Sequence, residues 1–406
     1  MNRQKITAVC TCLVVIAIAV FFQIAVKQKD AKDVVKVGFV YIGDESNPYV
    51  YNFIRAQKNI QSELGDKVNM VEKFNVPESE VEQPLVELAE EKCDIIFATS
   101  YGYGKTTKEI AEKYPDIQFC QATGDNANTE PFVSNYHTYM GAVYQGRYIA
   151  GVVAGMKLKQ MIDEGKITKE QAKVGYVGAY AYAEVISGYT AFLLGVRSVV
   201  PEAVMTVCYA DTWSNYTYEK NIAKSLIRDG CVIISQHSDT MGPAVACEEM
   251  NQNENCEVYH VGYNQGMTSV APTSSLIGCK VNWEPYEKAA IQAVRQGKEI
   301  ESVMEVHTEK NDAWGGLQDD WVQMLELNKI IAAPGSEKAI EKAKEQFARG
   351  TCKVFYGDYT GTDPDDPSDT IDLSKEYIEN EKASAPGFHY QLDDIITVKQ
   401  YQADKK

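Results

Sequence analysis

The sequence predicts an α/β protein of two Rossmann-like lobes, each a parallel sheet with helices on both faces, joined by a hinge across a cleft. Three observations predict it. From residue 35 onward, short apolar β-branched runs alternate with helical stretches, the pattern of a parallel sheet covered on both sides. The pattern restarts at Lys173 after a helical interruption. In both halves, aromatic and hydrogen-bonding residues follow the strands, and open α/β sheets bind ligands at the carboxyl ends of their strands. A chain of 406 residues, 45% of them hydrophobic, has material for two or three cores.

Taken in order, the first element is an apolar run from Ile6 to Val26, broken only by Thr7, Thr11 and Gln23. About 20 such residues span a bilayer. Arg3 and Lys5 precede the run, which places the amino end in the cytoplasm and the remainder outside. A cleaved signal peptide is the alternative; Phe21, Phe22, Gln23 and Ile24 offer no small-residue cleavage site, so an uncleaved anchor is expected. After a charged linker, KVGFVYIG is a buried strand and Tyr49 to Leu64 a helix. KVNMVEKF, DIIFATS and IQFCQAT continue as strands, separated by helices at Ser79 to Lys92 and Lys105 to Lys113. Met140 to Lys159 reads as one long helix whose Gly141, Gly151 and Gly155 permit close packing. The second series has strands KVGYVGA, VMTVCYAD, CVIISQH and CEVYHVGY, then SSLIGCKVN and a helix from Trp283 to Lys298. The region after Cys352 is rich in Asp, Pro, Thr and Tyr and reads as loops with a late hairpin. The expected division is an anchor and linker over 1–33, a first lobe over 34–157 with 281–330 returning to it, and a second lobe over 158–280 with part of 331–406 packed on it.

A net charge of −17 argues against nucleic acid as a partner. The ten cysteines form no C-x-x-C pair, so neither zinc nor a redox motif is expected; most of the eight beyond the apolar run sit in strands and are expected as free buried thiols. SYGYGKTT follows a strand and opens a helix, the setting of a phosphate-binding loop, but Thr99 stands where that loop needs its first glycine. The simpler expectation is a cleft loop presenting Tyr101 and Tyr103. No G-x-S-x-G or H-E-x-x-H is present. His137 and His260 lie within strand runs and are expected as structural. His237 closes a strand before Ser238 and Asp239. Tyr180 to Glu184, Thr212 to Tyr216, and Asn264-Gln265 also follow strands. Aromatic faces with carboxylate or amide edges suit a flat, polar-edged heterocycle. Only Lys105 and Lys280 add positive charge near these loops, which argues against a phosphorylated ligand.

In sequence order, VGYVGAYAYAEVISGYTAFLLGVRSVVPEA, TWSNY, IISQHSD, NWEPY and WGGLQDD resemble the basic membrane protein family. EKCDIIFATSYGYG and YQGRYIAGVVAG extend the match, to about residues 35 to 355. The family comprises substrate-binding proteins of ABC importers, similar to the purine nucleoside receptor lipoproteins. The resemblance implies a type I periplasmic-binding-protein fold, a purine base or nucleoside as ligand, an ABC permease as partner, and neither catalysis nor a cofactor nor a metal. It implies Tyr101 and Trp213 as stacking residues, and Glu184 and Asp239 as edge contacts with His237 nearby. The sequence departs from the family at three positions. Asn47 stands for an aromatic, so Tyr49 becomes the stacking candidate of the first loop. Asn52 and Asn264 stand for aspartates, which shifts the expectation from nucleoside towards free base. The expected ligand set is therefore Tyr49, Asn52, Tyr101, Tyr103, Glu184, Trp213, His237, Asp239, Asn264 and Lys280. Relatives carry a lipid on a cysteine at the end of the apolar run; no cysteine ends it here, which leaves the helix itself as tether. A tethered purine sensor is the alternative function, and a nucleoside-acting enzyme, lacking an acidic metal cluster, is third.

Overall fold

The computed structural model describes residues 31–401. The expected apolar anchor lies outside the described residues. Among the described residues no helix is long and apolar enough to cross a membrane.

The chain first lays down β1 (Val35–Val40), β2 (Val68–Lys73), β3 (Ile95–Ala98), β4 (Gln118–Ala122) and β5 (Tyr136–Gly141). Between them run α1 (Pro48–Leu64), α2 (Glu82–Glu90) and α3 (Gly104–Lys113). Helix α4 (Tyr144–Asp163) leads to the second series: β6 (Lys173–Gly178), β7 (Val204–Tyr209), β8 (Ile233–His237), β9 (Tyr259–Tyr263) and β10 (Ser275–Val281). Helices α5 (Ala183–Arg197), α6 (Tyr216–Arg228) and α7 (Gly242–Asn253) connect those strands. Then follow α8 (Glu284–Gln296), β11 (His307–Glu309), β12 (Asp312–Gly315), β13 (Val322–Met324) and α9 (Ser336–Ala348). The chain ends with β14 (Thr360–Thr362), β15 (Thr370–Asp372), β16 (Gln391–Leu392) and β17 (Ile396–Lys399).

Two seven-stranded sheets result, ordered β11-β12-β5-β4-β3-β1-β2 and β13-β10-β9-β8-β6-β7-β17. Both are parallel except at one edge, where β11 runs against β12 and β13 against β10. The strands read as near-continuous apolar runs because both faces are covered. Helix α1 starts sharply: the Asn47 side chain accepts from the amides of Tyr49 and Val50, and Pro48 supplies a preset φ.

The chain therefore crosses between the lobes three times. The return to the first sheet, expected over 281–330, spans α8 to β12; β13 pairs with β10 and goes back to the second sheet. Helix α8 is held on α1 by Trp283, whose buried ring stacks on Phe53 at 4.4 Å. The long helix begins later than expected. Met140 and Gly141 end β5, where the carbonyl of Trp321 leaves no room for a Cβ at Gly141. Farther along, α4 and α5 cross at Gly151 and Gly195, so close that a Cβ on either would lie 2.1 Å from a carbonyl oxygen of the other helix.

The carboxyl-terminal segment is more ordered than a loop and hairpin. β14, β15 and β16 form a three-stranded antiparallel sheet, and β17 adds to the second large sheet in parallel with β7. Phe355, Leu373, Phe388 and Leu392 share the core of the second lobe. The same segment touches the first lobe, where the amide of Ser384 donates to Asp312 Oδ2 at 2.7 Å. All eight described cysteines are free.

His260 on β9 is fully buried, with Nε2 3.0 Å from Gln236 Oε1. Burial pushes its pKa down to about 3. The unfolded imidazole takes a proton near pH 6.5, so stability from the neutral ring is complete above that pH and drains away as pH falls towards 3. The loss reaches on the order of 2 kcal/mol by pH 5. His260→Gln cannot titrate, so its stability deficit against the wild type should shrink between pH 7 and pH 5. Urea unfolding at both pH values measures this, and a constant deficit would refute it.

Candidate ligand-binding site

The carboxyl ends of both sheets face each other, and the loops there line a narrow space between the lobes. The first lobe contributes Ile42 after β1, Tyr49 in the first turn of α1, Ser100 and Tyr101 after β3, and Thr123 after β4. The second contributes Glu184 in the first turn of α5, Trp213 after β7, His237 and Asp239 at and after the end of β8, and Tyr263 at the end of β9.

Each wall residue is fixed by its own surroundings. Tyr49 is half-buried; its hydroxyl donates to the carbonyl of Thr99, and its ring meets Phe53 and Trp283 edge-on. Tyr101 donates to Asp125 Oδ2 at 3.0 Å. Its ring lies 5.3 Å from that of Tyr182 across the cleft, and Tyr182 adjoins Tyr180 and Trp213. Four rings, one from the first lobe and three from the second, thus cluster beside the space. The loop after β8 is tied down by Glu219, a buried carboxylate on α6. It accepts from Ser238 Oγ and from both the amide and the hydroxyl of Thr240. Its other oxygen accepts from the amide of Asn215, which caps α6 beside Trp213. One carboxylate therefore positions both loops that carry Trp213 and Asp239.

The electrostatics are set by burial. His237 is buried with Nε2 3.3 Å from Glu184 Oε1. Desolvation, and then Arg147, push its pKa down to about 4, so the ring is neutral at neutral pH. Asp239 is pushed well above the usual carboxylate range, first by burial and then by Glu219 and Glu184. Tyr263 stands between His237, edge-on at 4.6 Å, and the fully buried guanidinium of Arg147, 3.7 Å above its ring. No lysine or arginine is among the residues lining the space. The wall hydroxyls are engaged locally: Ser100 Oγ donates to Glu78 and Thr123 Oγ1 to the carbonyl of Ala122.

Six of the ten expected ligand residues, Tyr49, Tyr101, Glu184, Trp213, His237 and Asp239, line this one space. Tyr103 does not. The turn at 101–103 drives it into the core of the first lobe, where its hydroxyl donates to the carbonyl of Val76. Lys280 lies in a separate groove with Arg55, Asn282, Glu284 and Asp320. Asn52 lines that same groove with Lys280, and neither it nor Asn264 is in the wall of the space; both are buried, and Asn52 donates to the backbone carbonyl of Asn264 across the lobes. Residues not singled out from the sequence are Ile42, Ser100, Thr123, Tyr263, Glu219 and Arg147. Tyr263 is the last residue of the strand CEVYHVGY, just before the loop residues singled out. Arg147, a lone cation in the apolar stretch YQGRYIAGVVAG, was a visible signal.

A family model described as "ABC transporter substrate-binding protein PnrA-like", Bmp, matches residues 35–351. The chain belongs to the Bmp family. Among curated relatives, a purine-binding protein of Brucella abortus is 28% identical over 329 residues, covering 80% of this Bmp chain and 85% of the relative. A putative ABC transporter glucose-binding protein of Haloferax volcanii is 30% identical over 252 residues, covering 61% and 56% respectively. The fold is also that of a solved ABC transporter solute-binding protein from Conexibacter woesei, with a TM-score of 0.59 at 15% identity over 79% of this chain and 98% of that one. This Bmp protein is thus an ABC transporter solute-binding protein of two α/β lobes, a class that works outside the cytoplasm and takes up small molecules. Its segment beyond residue 351 lies outside the family match.

Proposed function

We propose that this protein captures a purine base in the inter-lobe space and presents it to an ABC permease at the outer face of the membrane, without chemistry on the ligand. The observation that carries the reading is the pairing of aromatic faces with two carboxyl groups in a wall free of lysine and arginine. Tyr49, Tyr101 and Trp213 offer faces for a flat ring. Glu184 accepts from ring N–H or amino groups. Asp239 is held towards its protonated form and can both donate and accept, which matches a heterocycle edge bearing adjacent donor and acceptor. The purine-binding relative from Brucella abortus supports the same ligand class.

Both lobes supply walls, so a ligand that touches both favours the closed arrangement by its differential contacts; this population shift is the signal to the permease. The helix expected at Ile6 to Val26 would serve as tether. Calorimetry on the full chain in detergent, with adenine, hypoxanthine, guanine, adenosine and glucose, tests the ligand. Binding of one or more purines is expected. Glucose binding with no response to any purine would overturn the reading.

A further inference from the structure

Beyond residue 351, where the family match ends, the chain builds the small sheet of β14, β15 and β16 on the second lobe. Three side chains meet beside it. Asp363 and Asp369 stand at the two ends of the loop between β14 and β15, which is closed by the amide of Asp363 donating to the carbonyl of Asp369 at 2.9 Å. His389 stands two residues before β16. One oxygen of each carboxylate and one imidazole nitrogen lie within 4.8 Å of one another, and all three residues are half-buried. Their outer atoms are engaged elsewhere. Asp363 Oδ1 accepts from the amide of Asp365 at 2.9 Å, and Asp369 Oδ1 from the Tyr390 hydroxyl at 3.1 Å. His389 Nδ1 lies 2.8 Å from the carbonyl oxygen of Gly387; a carbonyl only accepts, so Nδ1 carries a hydrogen. The imidazole also stacks on the Tyr390 ring at 4.2 Å. Partners of this kind orient metal ligands from behind.

The three remaining atoms, His389 Nε2 and both Oδ2, turn towards one another, and their spacing says what they share. Nε2 is 3.5 Å from Asp369 Oδ2 and 3.7 Å from Asp363 Oδ2. A proton between an imidazolium and a carboxylate draws the heavy atoms to about 2.7–2.9 Å. A tetrahedral ion with bonds of about 2.0–2.2 Å holds its ligand atoms about 3.4 Å apart. The spacing is that of ligands around an ion. Charge agrees: residues 363–369 include four aspartates, and among the described residues no lysine or arginine forms an ion pair with any of them. We propose that Asp363, Asp369 and His389 bind one divalent transition-metal ion of the zinc type, the fourth position being left to water. One imidazole beside two carboxylates suits zinc better than calcium, which takes about six to eight oxygens. The ion clips the β14–β15 loop to the segment entering β16. Phe388, next to His389, is fully buried in the core of the second lobe and stacks on Phe355 at 4.5 Å. The clip thereby steadies the apolar anchor of the whole carboxyl-terminal segment. The site is remote from the ligand space in its residues, and the inference stands apart from the purine reading.

The test is a zinc titration of the tag-free full chain in detergent, stripped of metal beforehand and read against a chromophoric chelator. The wild type should bind one ion per chain with a Kd of about 1 μM or below. His389→Ala, Asp363→Asn and Asp369→Asn should each weaken binding by at least about 30-fold. The asparagine variants are isosteric, so the test stands even if His389→Ala does not fold. Zinc at about 100 times its Kd should raise the Tm of the wild type by on the order of 3 °C and leave that of the variants unchanged. Calcium at about 100-fold excess should not displace zinc. Absence of saturable zinc binding by the wild type, or wild-type affinity in all the variants, would overturn the site and identify His389 as a plain partner of two carboxylates. Displacement by calcium would overturn the assignment to a transition metal.

Discussion

Asp239→Leu is expected to weaken purine binding roughly 30- to 1,000-fold, whereas Asp239→Asn should stay within about fivefold of the wild type. The leucine keeps the branched skeleton, with bulkier methyl groups, but leaves the polar edge of a buried ligand without partners. One to two unmade hydrogen bonds in such a setting cost about 2–4 kcal/mol, and each 1.4 kcal/mol is tenfold in Kd. Asparagine is the instructive comparison. Burial, Glu219 and Glu184 all push the Asp239 carboxyl towards its neutral form, and a neutral carboxyl, like an amide, offers a donor and an acceptor at one end. An ionised Asp239 would offer acceptors alone, and Asp239→Asn would then set a donor against a ligand donor and cost well over fivefold. Kd values for adenine on the two variants therefore separate loss of the contact from loss of the proton. The loop is held by Glu219 rather than by Asp239, so both variants should keep its shape.

Gly151→Ala and Gly195→Ala should each lower stability by about 3 kcal/mol or more, a Tm drop on the order of 10 °C. A Cβ at Gly151 would sit 2.1 Å from the carbonyl oxygen of Phe192, and one at Gly195 would sit 2.1 Å from that of Tyr148. Ordinary contact is over an ångström longer, and the obstacles are main-chain atoms of regular helices, which have no rotamer to adopt. Helix α4 is gripped on its other side by β10 and α9, so it cannot simply retreat. Gly266→Ala, in open space, is the control and should change stability by less than about 0.5 kcal/mol. Calorimetric melting of the three variants decides the matter; wild-type stability of either helix variant would show that the two helices can separate.

Much of this was legible in the sequence because strand ends announce themselves. The runs before Tyr180, Thr212 and Ser238 stop where polar and aromatic residues begin, and in a parallel sheet every such stop lies on the same side. That places Glu184, Trp213, His237 and Asp239 together without knowledge of loop geometry. Gly151 was marked for close packing by the small residues around it. What failed was whatever depends on a turn or on the partner lobe. Tyr101 and Tyr103 are equivalent on paper, but a tight turn sends one to the cleft and the other into the core. Lys280 neighbours cleft loops in sequence but lies in another groove because of its place on β10. Asn52 and Asn264 were marked as departures, but their meeting needs two lobes brought together from 212 residues apart. The expected return segment ran too long because antiparallel pairing of β13 with β10 leaves no local trace.

The position of β17 has a consequence for the order of events during synthesis. Its pairing of Ile396 with Met205 means that the second sheet gains its outer strand from a segment made long after β7. The first sheet likewise waits for β11 and β12. Neither lobe can complete its sheet until these later strands are made, and the edge of β7 stays open to other chains until β17 is in place. Such long-range pairings make folding slow. Until then the chain carries two unfinished sheets, each with an edge open to unintended pairing.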